Sequence, residues 1–191
     1  MSRLVFAWVL LGALLPGPAG ATSAKKLSLG ELSRGSERIV LADVEDASSR
    51  WDGKEIYTYV TLRVTEGVKG AKRHETITVR QIGGQVGTIA SIVAGTPSFR
   101  KGESVVVFLS AKDRTGHPWV MGLQQGKYTV ESDGKGGRRV RNELSGISLL
   151  SGAGLEADAK GATEENLAVF LEAVRRELGE EPVVVDPTVE R

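Results

Sequence analysis

The residues able to do chemistry are few, and their spacing matches no known catalytic pattern. Only two histidines occur, His74 and His117, 43 positions apart, and there is no cysteine. Thiol catalysis, disulfide exchange and cysteine-bound zinc are therefore excluded. Zinc-binding His-Glu-x-x-His is absent, as is any histidine pair at i, i+4. The nucleophile elbow Gly-x-Ser-x-Gly is absent too; Gly30 to Gly35 gives only Gly-x-x-Ser-x-Gly, in a segment that reads as helix. Gly122-Leu-Gln-Gln-Gly126-Lys127-Tyr128 imitates a phosphate loop. It is one residue short between its glycines, carries Tyr128 where magnesium needs Ser or Thr, and leads into a strand. Gly83-Gly84-x-x-Gly87 lacks the strand-turn-helix setting of a dinucleotide fingerprint. Asp43, Glu45 and Asp46 have no EF-hand loop around them. The expectation is a chain with no catalytic residue, no metal site and no cofactor. The competing expectation is a hydrolase using His117 or scattered carboxylates, since a triad is recognised by geometry and not by sequence order.

Aromatic side chains carry the stronger signal. Trp51, Tyr57 and Tyr59 fall at the tip and outer face of one expected hairpin, with Arg63 further along the same face. Trp119 follows the His117-Pro118 turn. Aromatic rings offer large contact area at low entropic cost and recur at binding surfaces. Trp51, Tyr57, Tyr59, Arg63 and Trp119 are thus the candidate binding residues. Coverage of Tyr57 and Tyr59 by the C-terminal helix or a neighbouring strand is the alternative.

Length and composition bound what can position these residues. A chain of 191 residues with 40% hydrophobic and 26% charged side chains is ordinary for a globular protein of one domain, two at most. Its 24 glycines are well above the usual ~7% and imply many turns. Arg3, the apolar run Leu4 to Leu15, the Pro16-Gly17-Pro18 break and Ala19-Gly20-Ala21 form the pattern of a signal peptide over residues 1–21. Twelve apolar residues are too few to span a bilayer, which takes about 20. Export to the periplasm or the medium is expected, with no membrane span once the signal is removed. Removing Arg3 leaves 24 basic against 24 acidic side chains, a net charge of zero. Neutral charge argues against nucleic acid as a partner.

The elements follow from hydrophobic period and turn residues. Ser28-Leu29-Gly30-Glu31 has capping-box spacing and predicts a short helix from Leu29 to Ser36. Strands are predicted over 38–46 and 56–65, joined through Asp52-Gly53, with Ile56, Thr58, Val60, Leu62 and Val64 on one face and Tyr57 and Tyr59 on the other. Further strands are expected over 75–81, 85–94, 104–109, 119–123, 127–131 and 138–142. The continuous apolar run Ser104 to Leu109 suits a strand covered on both sides. Residues 151–162 read as a linker, and Thr163 as the cap of a helix ending near Leu178. Leu167, Phe170, Leu171, Val174 and Leu178 form its apolar stripe, and residues 179–191 read as a loose tail.

The resulting fold is mainly β. The expectation is an OB-like antiparallel barrel of five or six strands over 27–150, with a short N-terminal helix and a C-terminal amphipathic helix packed on it. A β-sandwich is the alternative.

The order Arg38–Val44, Tyr57–Val64, Glu66-Gly-Val-Lys-Gly70, Ile77–Val79, Gly102–Leu109 and Gly126–Val130 resembles the OB-fold of the tissue inhibitors of metalloproteinases and netrin-like domains. It is also similar to a group of exported bacterial proteins with that arrangement, some associated with matrixin-type proteases. The likeness covers roughly Leu27 to Glu143. It implies a non-enzymatic binding domain whose partner is a protease, such as a matrixin-type metalloprotease, or an envelope protein. The inhibitors place an N-terminal cysteine on the catalytic zinc. With no cysteine here, that mechanism is not carried over, and no residue inherits an inhibitory role.

Overall fold

The computed structural model describes residues 23–142, 144, 148–151, 154–156 and 163–179. The expected signal peptide, most of the expected tail and most of the 151–162 linker lie outside the described residues.

In chain order the elements begin with β1 (Ser23–Lys25), α1 (Leu29–Gly35), β2 (Arg38–Asp52) and β3 (Glu55–Lys69). There follow β4 (Thr76–Ile82), β5 (Gly84–Val86), β6 (Ile89–Ser91) and β7 (Ser104–Leu109). A 3-10 turn at Leu123–Gly126 precedes β8 (Lys127–Ser132) and β9 (Arg138–Asn142). The last elements are β10 (Ser148–Ser151), β11 (Gly154–Glu156), β12 (Thr163–Asn166) and α2 (Leu167–Glu177). The protein is mainly β. Seven strands form one antiparallel sheet in the order β12-β9-β8-β7-β2-β3-β4.

β2 and β3 make a long hairpin closing at Asp52↔Glu55, its register shifted by irregularities at Ile39/Val40, Leu41/Ala42 and Val44/Asp46. Such bulges bend a strand and increase its twist. β7 pairs with β2 over Ser104–Leu109, so it lies inside the sheet. Alternate residues of β7 then serve two cores, because successive side chains point to opposite faces. Val105, Val107 and Leu109 join Val40, Ala42, Val60, Leu62, Ile77 and Val79 in one cluster. Val106 and Phe108 join Ile39, Leu41 and the helices in the other.

No helix residue belongs to the first cluster. The strands bury it by curling over one another. The curl stops short of a barrel: β4 and β12 are sheet edges that do not pair with each other, where five or six strands in a closed ring were expected. The reason lies beyond β7. The expected strand at 119–123 is reduced to a bridge, Leu109↔Val120. The 3-10 turn at Leu123–Gly126 then deflects the chain, and β8 leads to β9 and β12 instead of to β4. A single backbone bond crosses the gap, Arg80 N–H donating to the Pro118 carbonyl at 3.0 Å.

The helices cover the other face. Ser28 caps α1 with the expected capping box, Glu31 reaching back to the Ser28 amide at 2.9 Å. Asn166, not Thr163, caps α2; its side chain accepts from the amides of Ala168 and Val169. Thr163 instead begins β12, opposite Asn142. α2 buries Leu167, Phe170, Leu171 and Val174, with Phe170 edge-on to Phe108 at 6.4 Å. Arg34 of α1 and Glu177 of α2 pair at 2.8 Å across the helix ends.

Tyr128 lies against Phe170 in this core, 4.5 Å between ring centroids. Burial pushes its phenol up to about 12, since the anion is excluded from an apolar site. The folded state therefore holds this proton more tightly than the unfolded chain, whose tyrosine titrates near 10. Stability should be intact below pH 10 and fall as pH rises from 10 through 12. Urea midpoints between pH 9 and 12 should show this fall in the native chain and a shallower one in Tyr128→Phe.

Candidate functional site

The outer face of β3 carries Tyr57 and Tyr59, as alternation requires, and neither ring is free. The Arg80 guanidinium lies over the Tyr57 ring, 3.5 Å from its centroid, and that of Arg50 over Tyr59 at 3.6 Å. Cation–π stacking of this kind fixes both partners. Tyr59 is only 9% exposed, its hydroxyl donates to Asp52 Oδ2 at 3.1 Å, and its ring meets His117 edge-on at 5.4 Å. Arg80 donates to the same Asp52 oxygen at 2.7 Å and reaches Asp113 at 3.5 Å. Asp113 in turn accepts from the Thr115 amide and hydroxyl and from the His117 amide.

Electrostatics follow from those bonds. The Tyr59 hydroxyl and then Arg80 hold the Asp52 carboxyl below the usual carboxylate range. The Thr115 hydroxyl, with the His117 and Thr115 amides, does the same for Asp113. Both acids are fixed acceptors of positive charge, far from the near-neutral pKa a general base needs. His117 Nδ1 lies 3.3 Å from the Thr78 carbonyl oxygen, so its ring is tied to backbone. The network braces the sheet edge. It is not α2 that covers the tyrosines, since that helix packs further along the sheet, on Ile39, Leu41, Val106 and Phe108, with Arg175 paired to Glu66 near the other end of β3.

The other candidates separate. Trp51 stands directly opposite Ile56 in the hairpin register, so it shares the face of Ile56 and not that of Tyr57 and Tyr59. It is 47% exposed, as is Trp119 beside the Pro118 carbonyl that receives Arg80. Arg63 donates to Glu45 at 2.8 Å and belongs to a surface ion pair. It stands four positions along β3 from Tyr59, about 13 Å at ~3.3 Å per residue. The five residues do not form one site.

A different place gathers exposed apolar surface. Of seven large hydrophobics exposed among the described residues, Trp51 belongs to the β2–β3 hairpin tip, and Ile82, Ile89, Ile92 and Val93 to the end of β4 and the chain just after it. Ile92 is 91% exposed. β5 and β6 pair with each other as a small separate ribbon over the hairpin end, not as the single strand expected over 85–94. Gly84 allows the close crossing: its φ is +130°, and a Cβ there would stand 2.2 Å from Ser49 Oγ and 2.3 Å from Thr58 Oγ1. Ser49 and Thr58 bond each other at 2.9 Å, and Thr58 donates to the Gly83 carbonyl at 2.8 Å.

Beneath the ribbon lies a cavity of about 420 Å³, lined among others by Thr58, Gln81, Ile82, Ile92, Thr96 and Phe99. No charged side chain lines it. Of this end, sequence reasoning named Trp51 and missed the 82–99 segment. Its one signal was the cluster of isoleucines in a glycine-rich stretch, Ile82-Gly-Gly and Gly87-Thr-Ile89, too apolar for a plain loop. No group of metal-ligating side chains is found among the described residues, and none of their helices is long and apolar enough to cross a membrane. Comparison with protein-family models, curated proteins and solved structures gave no match.

Proposed function

We propose that this chain is a non-enzymatic binding domain that takes a protein partner at the apolar end formed by Trp51, Ile82, Ile89, Ile92 and Val93. One observation carries the reading: five of the seven large hydrophobics exposed among the described residues lie at the hairpin tip and along residues 82–93, and three of them, Ile82, Ile92 and Val93, line a cavity. Contiguous apolar patches on soluble proteins mark interaction sites. Tyr57, Tyr59, Arg50 and Arg80 act here as the rigid support of the hairpin, and Trp119 as a separate exposed ring.

On this reading the domain is exported, and its partner is a protein of the same compartment, an envelope protein or a protease of the matrixin type. The curled part of the sheet is then an OB-like variant. β2, β3, β4, the 118–120 segment and β7 follow one another around it, the link from β4 to the 118–120 segment reduced to the Arg80–Pro118 bond, and this order supports the likeness.

Selection of a random peptide library on the immobilised full chain tests the function. Trp51→Ala should weaken the selected peptides tenfold or more, in line with a hot-spot loss of ~2 kcal/mol. Ile92→Asp should abolish their binding, while Trp119→Ala should leave it within about twofold. Peptides indifferent to both Trp51→Ala and Ile92→Asp would contradict the proposal.

A further inference from the structure

The cavity behind the apolar end contains polar groups that the protein itself leaves unsatisfied. Gln81, on β4 opposite Thr58, is 6% exposed, and its side-chain Nε2 is buried with no hydrogen-bond partner. Thr96 Oγ1, on the loop after β6, is likewise buried and without a partner. Both residues line the cavity. Two other hydroxyls there are engaged, Ser49 with Thr58 and Thr58 with the Gly83 carbonyl. A buried donor without an acceptor costs stability, and native proteins rarely retain one.

We infer that the cavity is the anchor pocket of this surface: it takes an uncharged apolar residue of the partner, whose backbone carbonyl accepts from Gln81 Nε2. The inference rests on the binding-domain reading above and adds the chemistry of what is recognised. Three features set that chemistry. The volume of about 420 Å³ lies within the range of pre-formed ligand pockets, roughly 300–1,000 Å³. Ile82, Ile92, Val93, Pro97 and Phe99 supply an apolar wall and mouth. The lack of a charged group in the lining leaves an ionised side chain with nothing to replace its water. Gln81 and Thr96 then give orientation, since an occupant is held in one pose only where its oxygen meets a donor. Ile92 and Val93, exposed at the mouth, are covered when the partner's neighbouring residues close over it.

The test uses the full chain and three capped amino acids that share one backbone: the N-acetyl N-methylamides of leucine, aspartate and lysine. Titrations are followed by the side-chain amide resonances of Gln81 and the backbone amides of residues 82–99. The leucine derivative should shift the Gln81 side-chain amide and saturate, with the aspartate and lysine derivatives at least tenfold weaker. Gln81→Leu keeps the size and removes the donor. It should melt at or above the native temperature, since an unsatisfied polar group is gone, yet bind capped leucine at least fivefold more weakly. Thr96→Val gives the same comparison if Gln81→Leu does not fold.

Equal affinity for the three derivatives, no saturable shift from any of them, or unchanged leucine binding in the variants would overturn the inference. If selected peptides still depend on Trp51 and Ile92 while capped leucine leaves Gln81 unmoved, the cavity assignment fails and the binding-domain reading stands. If peptide selection also yields nothing at this end, both fail.

Discussion

Phe108→Ala should destabilise the protein by about 3–5 kcal/mol, the usual cost of truncating a buried phenylalanine. Phe108 is fully buried near the end of β7, and its ring meets Tyr128 at 6.0 Å and Phe170 edge-on at 6.4 Å. With Tyr128, it is one of the rings on which Phe170 of α2 packs. The void cannot collapse easily, because β7 is pinned on one side by β2 and on the other by β8. Denaturant midpoints at pH 7 measure the loss. The binding end lies on the other side of the sheet, where the all-strand core sits. Peptide affinity should therefore be unchanged well below the lowered midpoint. A loss under 1 kcal/mol would mean that α2 does not depend on this ring.

Glu103→Ala should cost a similar amount for an electrostatic reason. Lys127 Nζ and Glu103 Oε1 are 2.6 Å apart, with side chains only 11% and 13% exposed. The Thr129 hydroxyl donates to the same carboxylate oxygen at 2.8 Å. Removing the acid leaves a lysine ammonium in a site nearly closed to water, and breaking a buried pair in this way costs about 3–5 kcal/mol. The double variant Glu103→Ala, Lys127→Met removes both charges and should recover much of the loss, because no uncompensated charge remains. The pair also touches function. Lys127 Nζ sits 5.0 Å from the centroid of Phe99, which lines the cavity. Glu103→Ala should thus weaken capped-leucine binding, while Phe108→Ala leaves it alone. Unfolding curves and the leucine titration on the same samples check both halves.

What could be read from the sequence and what could not divide along physical lines. β7 was legible because an apolar run over Ser104–Leu109 has one explanation in a β protein, a strand with a core on each face. β3 was legible from its alternation, and α2 from the spacing of Leu167, Phe170, Leu171 and Val174. The fate of the sheet's edges was not legible. Whether the strand after β7 closes a ring depends on a 3-10 turn at Leu123–Gly126, whose glycines read equally well as an ordinary loop. Position on a face was partly recoverable. Counting back from the Asp52↔Glu55 closure puts Trp51 with Ile56, away from the tyrosines.

The cavity had no linear signature. Gln81 and Thr96 stand fifteen residues apart on a strand and a loop, and nothing in their spacing says that both face one space. Gly83, Gly84 and Gly87 hid it further, since their positive φ angles break the period from which a strand is recognised. The stacking of Arg50 and Arg80 on the tyrosines was equally silent, because it joins residues across three strands.

The central claim is that partners dock where the hairpin tip meets the 82–99 segment. Hydrogen–deuterium exchange of the full chain, with and without the tightest selected peptide, tests it most directly. Amides whose exchange reports local opening slow when a bound partner covers them. The account predicts added protection confined to residues 49–58 and 82–99, absent in Ile92→Asp. Protection centred on α2, on β8 and β9, or around Arg80 and His117, with the 82–99 segment unchanged, would contradict it.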